Sequence, residues 1–282
     1  MKTDNLIPSI IESKHTIMLL NRDKRLDGRE FFQSRDIFLQ TGMLNKAEGS
    51  AKVKLGKTLI YAGVKAELGT PFSDTPNEGV LIVNIEMSPI ASPYFESGPP
   101  SKESIELARV VDRAIREAKV LDTKKLCVIE GEKVWIIFID IYILGDDGNL
   151  IDASCIGAMS ALATTKFPKM IPDPEDDKKL IKSDEFLPIP INNWATTSTF
   201  SKIGSKIVLD PTLDEEKIEN ARFTVGVNQN GDITALQKGL IGTFSTEELL
   251  GLIDIATDRG TSKIKKLQEL IKQGGNWPED EF

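Results

Sequence analysis

The sequence predicts an α+β protein made of two strand-then-helix halves in mixed sheets with packed helices. Three observations carry that prediction. From Ile37 onward β-type runs dominate, with one helical segment among them and a second closing the first half. A stretch with three prolines and mixed charge, 169–188, then interrupts the pattern. After it the strand-then-helix order repeats and ends in one long helix. The expected division is a helix and lead-in over 1–30, a first half over 31–168, a linker over 169–188 and a second half over 189–282.

Residues 8–21 read as a short amphipathic helix, and 22–35 as a charged, turn-like lead-in around Leu26-Asp27-Gly28-Arg29. Strands are expected over 37–42, 50–55 and 58–67. Glu48-Gly49 and Gly56-Lys57 suit tight turns between them. A strand over 80–87 and a Pro/Ser/Gly loop over 89–100 precede a helix over 101–119. Strands follow over 127–130 and 133–144, then the turn Asp146-Asp147-Gly148-Asn149. Asp152 is placed to cap a helix of small residues, 153–165, closed by Phe167-Pro168. In the second half, strands are expected over 194–203, 206–209, 223–228 and 233–239, with Gln229-Asn230-Gly231-Asp232 as a hairpin turn. Ser245-Thr246-Glu247-Glu248 matches a capping box for a helix running to about Gln273, before Gly274-Gly275.

The helix over 101–119 is the most informative segment. On a helical wheel Arg109, Arg113 and Arg116 share one stripe with Lys102, while Leu107, Ala108, Val110, Val111, Ala114, Ile115 and Ala118 fill the opposite arc. Guanidiniums on a rigid rod suit a row of phosphates, because each fork can bind phosphate oxygens bidentately. The same spacing also suits a solvated face with intrahelical pairs such as Glu106 with Arg109.

Composition narrows the function classes. A net charge of −8 over 282 residues makes the whole chain a poor autonomous nucleic-acid binder, so any such site must be a local basic patch or be completed by a partner. Cys127 and Cys155 cannot form a disulfide scaffold or thiolate cage and read as buried, reduced core residues. His15 is the single histidine and reads as an ordinary surface residue, which excludes histidine-rich metal sites and argues against histidine-dependent triads. No signal peptide is expected near Pro8 and Glu12, and the apolar run 134–144 is interrupted by Asp140 and too short for a bilayer. A soluble, cytoplasmic protein without membrane association is expected.

Several segments together resemble the RNase PH family. They are Arg25-Leu26-Asp27-Gly28-Arg29, Gly49-Ser50-Ala51-Lys52-Val53 with Gly56-Lys57-Thr58, and Ile105-Glu106-Leu107-Ala108-Arg109-Val110-Val111-Asp112-Arg113. Asp152-Ala153-Ser154 and Val208-Leu209-Asp210-Pro211-Thr212 complete the pattern, which spans roughly 20–260. Within the family it looks most like the non-catalytic RNase PH-type subunit of the archaeal exosome. The resemblance implies duplicated β-α units of the RNase PH type (ribosomal protein S5 domain 2-like). It also implies a ring of three heterodimers with a catalytic homologue, RNA-binding cap subunits, and single-stranded RNA as the ligand. The family's reaction is phosphorolysis, in which inorganic phosphate attacks the terminal phosphodiester and releases a nucleoside diphosphate.

That chemistry needs an anion cradle and carboxylates for a divalent metal or acid catalysis. Active members place a Gly-Thr-Arg segment or a serine run before the small-residue helix. Here Asn149-Leu150-Ile151 and then Asp152 stand there. Leucine and isoleucine offer no side-chain donor, and Asp152 would repel phosphate. The resemblance therefore implies an inactive subunit with no cofactor, no metal and no catalytic residue, in which Arg109 and Arg113 hold RNA phosphates. Roles for Arg116, Arg22, Arg25 and Arg29 stay open. Asp210 and Glu216 keep the six-residue spacing of the family's acidic pair, but Arg222-Phe223 replaces a further aspartate. Read without the family, Asp214-Glu215-Glu216 is a solvated acidic turn. The rival reading is an active phosphorolytic 3'-to-5' exoribonuclease or nucleotidyltransferase using Asp210 and Glu216 with Mg²⁺. An unrelated metabolic enzyme finds no cofactor motif in the chain.

Overall fold

The computed structural model describes residues 10–173 and 176–278. In the first half the strands are β1 (Ile37–Thr41), β2 (Gly49–Leu55), β3 (Thr58–Gly69), β4 (Val80–Met87), β5 (Cys127–Ile129) and β6 (Lys133–Gly145). They form one sheet in the order β1-β2-β3-β6-β4, with β5 pairing β6. Among the described residues of this sheet, only β4 and β6 pair in parallel. Alternation sets the core face: Ile60, Ala62, Val64 and Ala66 of β3 are buried, and opposite them stand Ile143, Ile141, Ile139 and Ile137 of β6. A one-residue slip would turn both rows to solvent, so burial fixes the register.

The second sheet follows the order β10-β9-β11-β12, built from β9 (Ala195–Ile203), β10 (Lys206–Leu209), β11 (Ala221–Asn228) and β12 (Ile233–Gly239). Two helices link the sheets: α2 (Lys102–Glu117) packs on β4 and β12, and α3 (Leu150–Ala163) packs on β2, β3 and β9. Every residue from Ile151 to Leu162 is buried, which explains why this helix is made of small side chains. A Cβ at Gly157 would meet the end of Ile60. The long α5 (Thr246–Lys272) packs on β9 and β11 and starts with the expected capping box, Ser245 and Glu248 each accepting from the other's backbone N–H.

Several expectations change. The 169–188 stretch carries regular structure: β7 (Lys166–Asp173) and β8 (Asp176–Pro188) pair as an antiparallel ribbon, residues 174 and 175 lying outside the described residues. Its base meets the core through Phe167, which packs on Trp135, and Met170, but the stretch is rich in charge and proline, so its sequence reads as linker. Glu48-Gly49 is not a tight turn, since the connection runs from Gly42 to Glu48 and Gly49 opens β2. Helix α1 (Ile10–Asn21) buries Thr16 and Leu20 but exposes Ile11, Ile17 and Met18. Its apolar residues encircle the axis and make no single stripe; Pro8, its expected start, lies outside the described residues. Cys155 is buried as expected, and burial pushes its thiol up to about 12. Cys127 is only half-buried, at the sheet-edge β5.

Asp214-Glu215-Glu216 is not a solvated turn. It lies in α4 (Leu213–Ile218), where Thr212 and Glu215 form a capping box. Glu215 is buried and receives both Arg25 Nη2 at 2.6 Å and Arg25 Nε at 2.8 Å. Arg25 also donates to the carbonyls of Leu209 and Asp210. Asp210, next in the clamp, has φ 53°, a left-handed conformation that aspartate tolerates. Its Oδ1 accepts from Arg35 Nη2 at 2.7 Å and Asn149 Nδ2 at 2.6 Å. Its Oδ2 accepts from the Arg35 backbone N–H at 2.7 Å, Arg35 Nε at 3.0 Å and Arg29 Nη1 at 3.1 Å. Arg25 and Arg29 thus tie the lead-in to the second half and do not line an open surface. Arg22 is exposed.

Two consequences are measurable. At Gly49 an added Cβ would collide with Thr165 Oγ1 and the Ala161 carbonyl, and it would lie 2.8 Å from the Thr165 Cα. Backbone cannot swing away, so Gly49→Ala is expected to cost about 1–3 kcal/mol, seen as a lowered denaturant midpoint; an unchanged midpoint would refute the collision. At Asp210, burial raises the carboxyl pKa, but the Arg35 hydrogen bonds and charge outweigh it and bring it to about 2, against 3.8 for a free aspartate. This lowered value stabilises the fold above pH ~4, and the contribution, about 2 kcal/mol, is lost as pH falls toward ~2. Asp210→Asn is expected to destabilise the chain at pH 7 by about 3 kcal/mol, because Arg35 and Arg29 lose a buried partner. The gap to wild type should shrink between pH ~4.5 and ~2.5; a gap constant with pH would sink the assignment.

Candidate nucleic-acid interface and the adjoining cleft

Helix α2 starts at Ser101, whose hydroxyl accepts from the Ser104 N–H at 3.1 Å. Leu107, Val110, Val111, Ala114 and Ile115 bury the face opposite the arginines, as the wheel predicts. Arg109 and Arg113 are both exposed, and among the described residues neither makes a hydrogen bond or ion pair. The expected pairing of Glu106 with Arg109 is absent. Glu106 Oε1 accepts instead from Arg222 Nη2 at 2.6 Å and Gln237 Nε2 at 3.3 Å, across to the second sheet. Arg116 leaves the ridge: it donates to both oxygens of Asp112 and to the Leu81 carbonyl at 2.8 Å. The Asp112 hydrogen bond leads the causes that raise its pKa further, against partial burial. Two guanidiniums of the predicted row therefore stand free.

Beside this helix lies a cleft of about 850 Å³, walled by the start of α2, the 88–100 loop, the first turn of α3, and Glu216 and Arg222 of the second half. Its wall carries Glu86, Glu96, Glu103, Asp140, Asp146 and Glu216, plus Glu106 held by Arg222, the one cation among the described residues that line it. Burial first, then the charges of Glu86 and Asp140, raise the Tyr142 hydroxyl pKa. The cleft repels anions.

The helix end in this cleft differs in detail from expectation. Asn149, with φ 54°, is the N-cap of α3, and Asp152 lies in the first turn. The Asn149 backbone N–H donates to Glu216 Oε1 at 2.8 Å, and its Nδ2 donates to Asp152 Oδ2 at 3.0 Å as well as to Asp210. Asp152 Oδ1 accepts from the Thr199 hydroxyl at 2.9 Å and its Oδ2 from the Thr199 N–H at 3.2 Å. A helix N-terminus is an anion site because its first N–H groups lack partners. Here the chain's own carboxylates crowd it. Asp210 and Glu216 do come together, but both Asp210 oxygens are spent on guanidinium and amide donors, so the pair does not fit a metal ion. Among the described residues, no group of three or more His, Cys, Asp or Glu is arranged to hold one. Sequence reasoning missed Arg35, whose burial opposes its charge while the Asp210 hydrogen bonds raise its pKa beyond the ordinary value. Its one signal was a charged residue two positions before the first strand.

The model of the 3' exoribonuclease family, domain 1 (RNase PH), matches residues 33–168, and that of domain 2 matches 195–259. The chain is similar to the exosome complex component Rrp42 of Methanothermobacter thermautotrophicus, with 45% identity covering 94% of this chain and 97% of that protein. The same component of Thermococcus kodakarensis is 46% identical, over 91% and 94% of the two chains. A chain of the Archaeoglobus fulgidus exosome with RNA bound to the active site superposes with a TM-score of 0.82 and 39% identity, covering 92% of this chain and 97% of that one. A chain of an archaeal exosome core gives 0.79 and 35%, over 92% and 96%. With both family domains matched in order and near half of all residues shared along almost the full length, this chain belongs to the RNase PH, or 3' exoribonuclease, family.

Proposed function

We propose that this chain is a non-catalytic subunit of an archaeal-type exosome, a phosphorolytic complex that degrades RNA from the 3' end in the cytoplasm. It structures the ring beside a catalytic RNase PH-type homologue, under RNA-binding cap subunits, and lends Arg109 and Arg113 to the path of single-stranded RNA. The observation that carries this reading is the contrast within one small region. Two unpaired guanidiniums stand on a rigid helix, while the neighbouring cleft, where the chemistry would occur, is lined with carboxylates. Phosphate entering that cleft meets Glu216 already on the Asn149 N–H, and finds no donor on the side chains of Leu150 or Ile151. The rival reading, an active enzyme using Asp210 and Glu216, loses its acid to the Arg35 clamp. The names of the relatives, exosome components, agree with the proposal.

Incubated alone with single-stranded RNA, phosphate and Mg²⁺, the chain is expected to release no nucleoside diphosphate. Ile151→Arg should not change this, since Asp152, Glu216 and Arg222 remain; release at the rate of an active family member would overturn the non-catalytic assignment. In the complex with the catalytic homologue, Arg109→Ala/Arg113→Ala should leave the melting temperature nearly unchanged, because neither side chain packs in the core. RNA affinity should fall without a change in base preference. The slope of log K against log[salt] should lose about 0.7 per phosphate contact removed. A salt titration showing unchanged affinity and slope would return both arginines to a merely solvated face.

A further inference from the structure

Arg109 has a carboxylate one helical turn away on each side: Glu106 three residues before it and Asp112 three residues after. Either spacing permits an intrahelical ion pair that would occupy the guanidinium and set a negative charge beside any incoming phosphate. Neither pair forms, and in both cases another arginine has taken the carboxylate. Asp112 gives both oxygens to Arg116, at 2.7 and 3.1 Å. Glu106 is taken by Arg222, which reaches it from β11 on the second sheet. Arg222 faces Gly239 of β12 in register, and a Cβ there would stand 3.1 Å from its Nη2, so the guanidinium lies flat over this glycine on its way to Glu106. Gln237, two residues before Gly239 on the same strand, adds its Nε2 to the same Glu106 oxygen.

We infer that Arg222 is a positioning residue for RNA: by holding Glu106 against the second sheet, it keeps Arg109 unpaired and available to a phosphate. The inference rests on the RNA role proposed for Arg109. It explains why Arg109, flanked by acids at pairing distance along the helix, still projects as a free cation. Arg116 serves Arg109 in the same way through Asp112, but it also anchors the helix to Leu81, so Arg222 is the cleaner residue to test.

The test uses the assembled complex with the catalytic homologue and measures affinity for single-stranded RNA across salt concentrations. With Arg222→Met, Glu106 is released and turns to Arg109. Affinity should fall by up to about five-fold at ~0.1 M salt, and the slope should drop by up to about 0.7, one single-strand phosphate contact. Adding Glu106→Gln to Arg222→Met should restore both, since the competing acid is gone, and Arg222→Lys should retain most of the affinity. Glu103→Gln in the Arg222→Met background neutralises an equal charge in the same cleft but outside pairing reach of Arg109. It should not restore binding; rescue equal to that of Glu106→Gln would reduce the effect to net charge and overturn the inference. So would failure of Glu106→Gln to rescue, which would mean that Arg222 acts by bracing the helix. Arg109→Ala separates the two levels. If it too leaves RNA binding unchanged, the RNA role itself fails; if it weakens binding while Arg222→Met does not, only the inference about Arg222 fails.

Discussion

Much of the architecture depends on one buried cluster, in which Arg25, Arg29 and Arg35 converge on Asp210 and Glu215. Charges this far from water are tolerated only when their donors and acceptors are matched, and here they are: five donors meet the two oxygens of Asp210, and Arg25 grips both oxygens of Glu215. The three arginines come from the segment before β1, and the carboxylates from the turn after β10 and from α4. Arg35 further donates to the carbonyls of Asp147 and Gly148, at the turn that launches α3. One ionic cluster therefore sets the lead-in, the start of the central helix and the second sheet relative to one another. Removing a single member leaves an uncompensated buried charge, so the cluster constrains the geometry strongly even where its net contribution to stability is modest.

The same cluster decides what the region can do chemically. A carboxylate is useful to a metal or to a proton transfer only if it has a free lone pair or an accessible proton. Asp210 has neither: its lone pairs point at guanidinium and amide donors, and its pKa of about 2 keeps it ionised across the physiological range. Glu216 faces the helix end and satisfies a backbone N–H that would otherwise serve an anion. On the proposed non-catalytic reading, residue types and spacing that resemble a catalytic pair serve as structural members, held by the arginines around them.

How much of this was legible in the sequence depends on what kind of signal each residue leaves. Strands β2, β3, β4, β6, β10 and β12 lie where alternation or turn residues place them, because a half-buried sheet writes its period directly into the chain. Helix α2 and its arginine stripe are equally plain. The β7–β8 ribbon left no such mark, since it meets the core at its base, through Phe167 and Met170, and its sequence is otherwise rich in charge and proline. Glu215 looked like one of three solvated acids, and only a partner 190 residues away in sequence, Arg25, makes it a core residue. The N-cap of α3 was misplaced by three residues because Asp152 has the right chemistry for a cap, whereas Asn149 takes the position through its left-handed backbone. Pairings across long sequence separation were the main blind spot. Among them was the bond from Arg222 to Glu106, which a reading along one helix assigns to Arg109.

Charge is spatially sorted in this molecule more than its net value of −8 suggests. Every arginine of the lead-in after Arg22 is neutralised in the interior, and Arg116 and Arg222 are each committed to a carboxylate. Acids without side-chain partners, such as Glu86, Glu96 and Glu103, gather on the cleft wall. Unpaired positive charge thus appears at Arg109 and Arg113 next to a surface that repels phosphate. A polyanion approaching α2 is drawn to the ridge and turned away from the cleft by the same few residues. In water, charges this close act over about one Debye length, roughly 8–10 Å at physiological salt, so the contrast operates at contact and gives little long-range steering. On the proposed RNA role, its physical effect would be to hold a phosphate backbone on the arginine side of α2, away from this chain's own cleft.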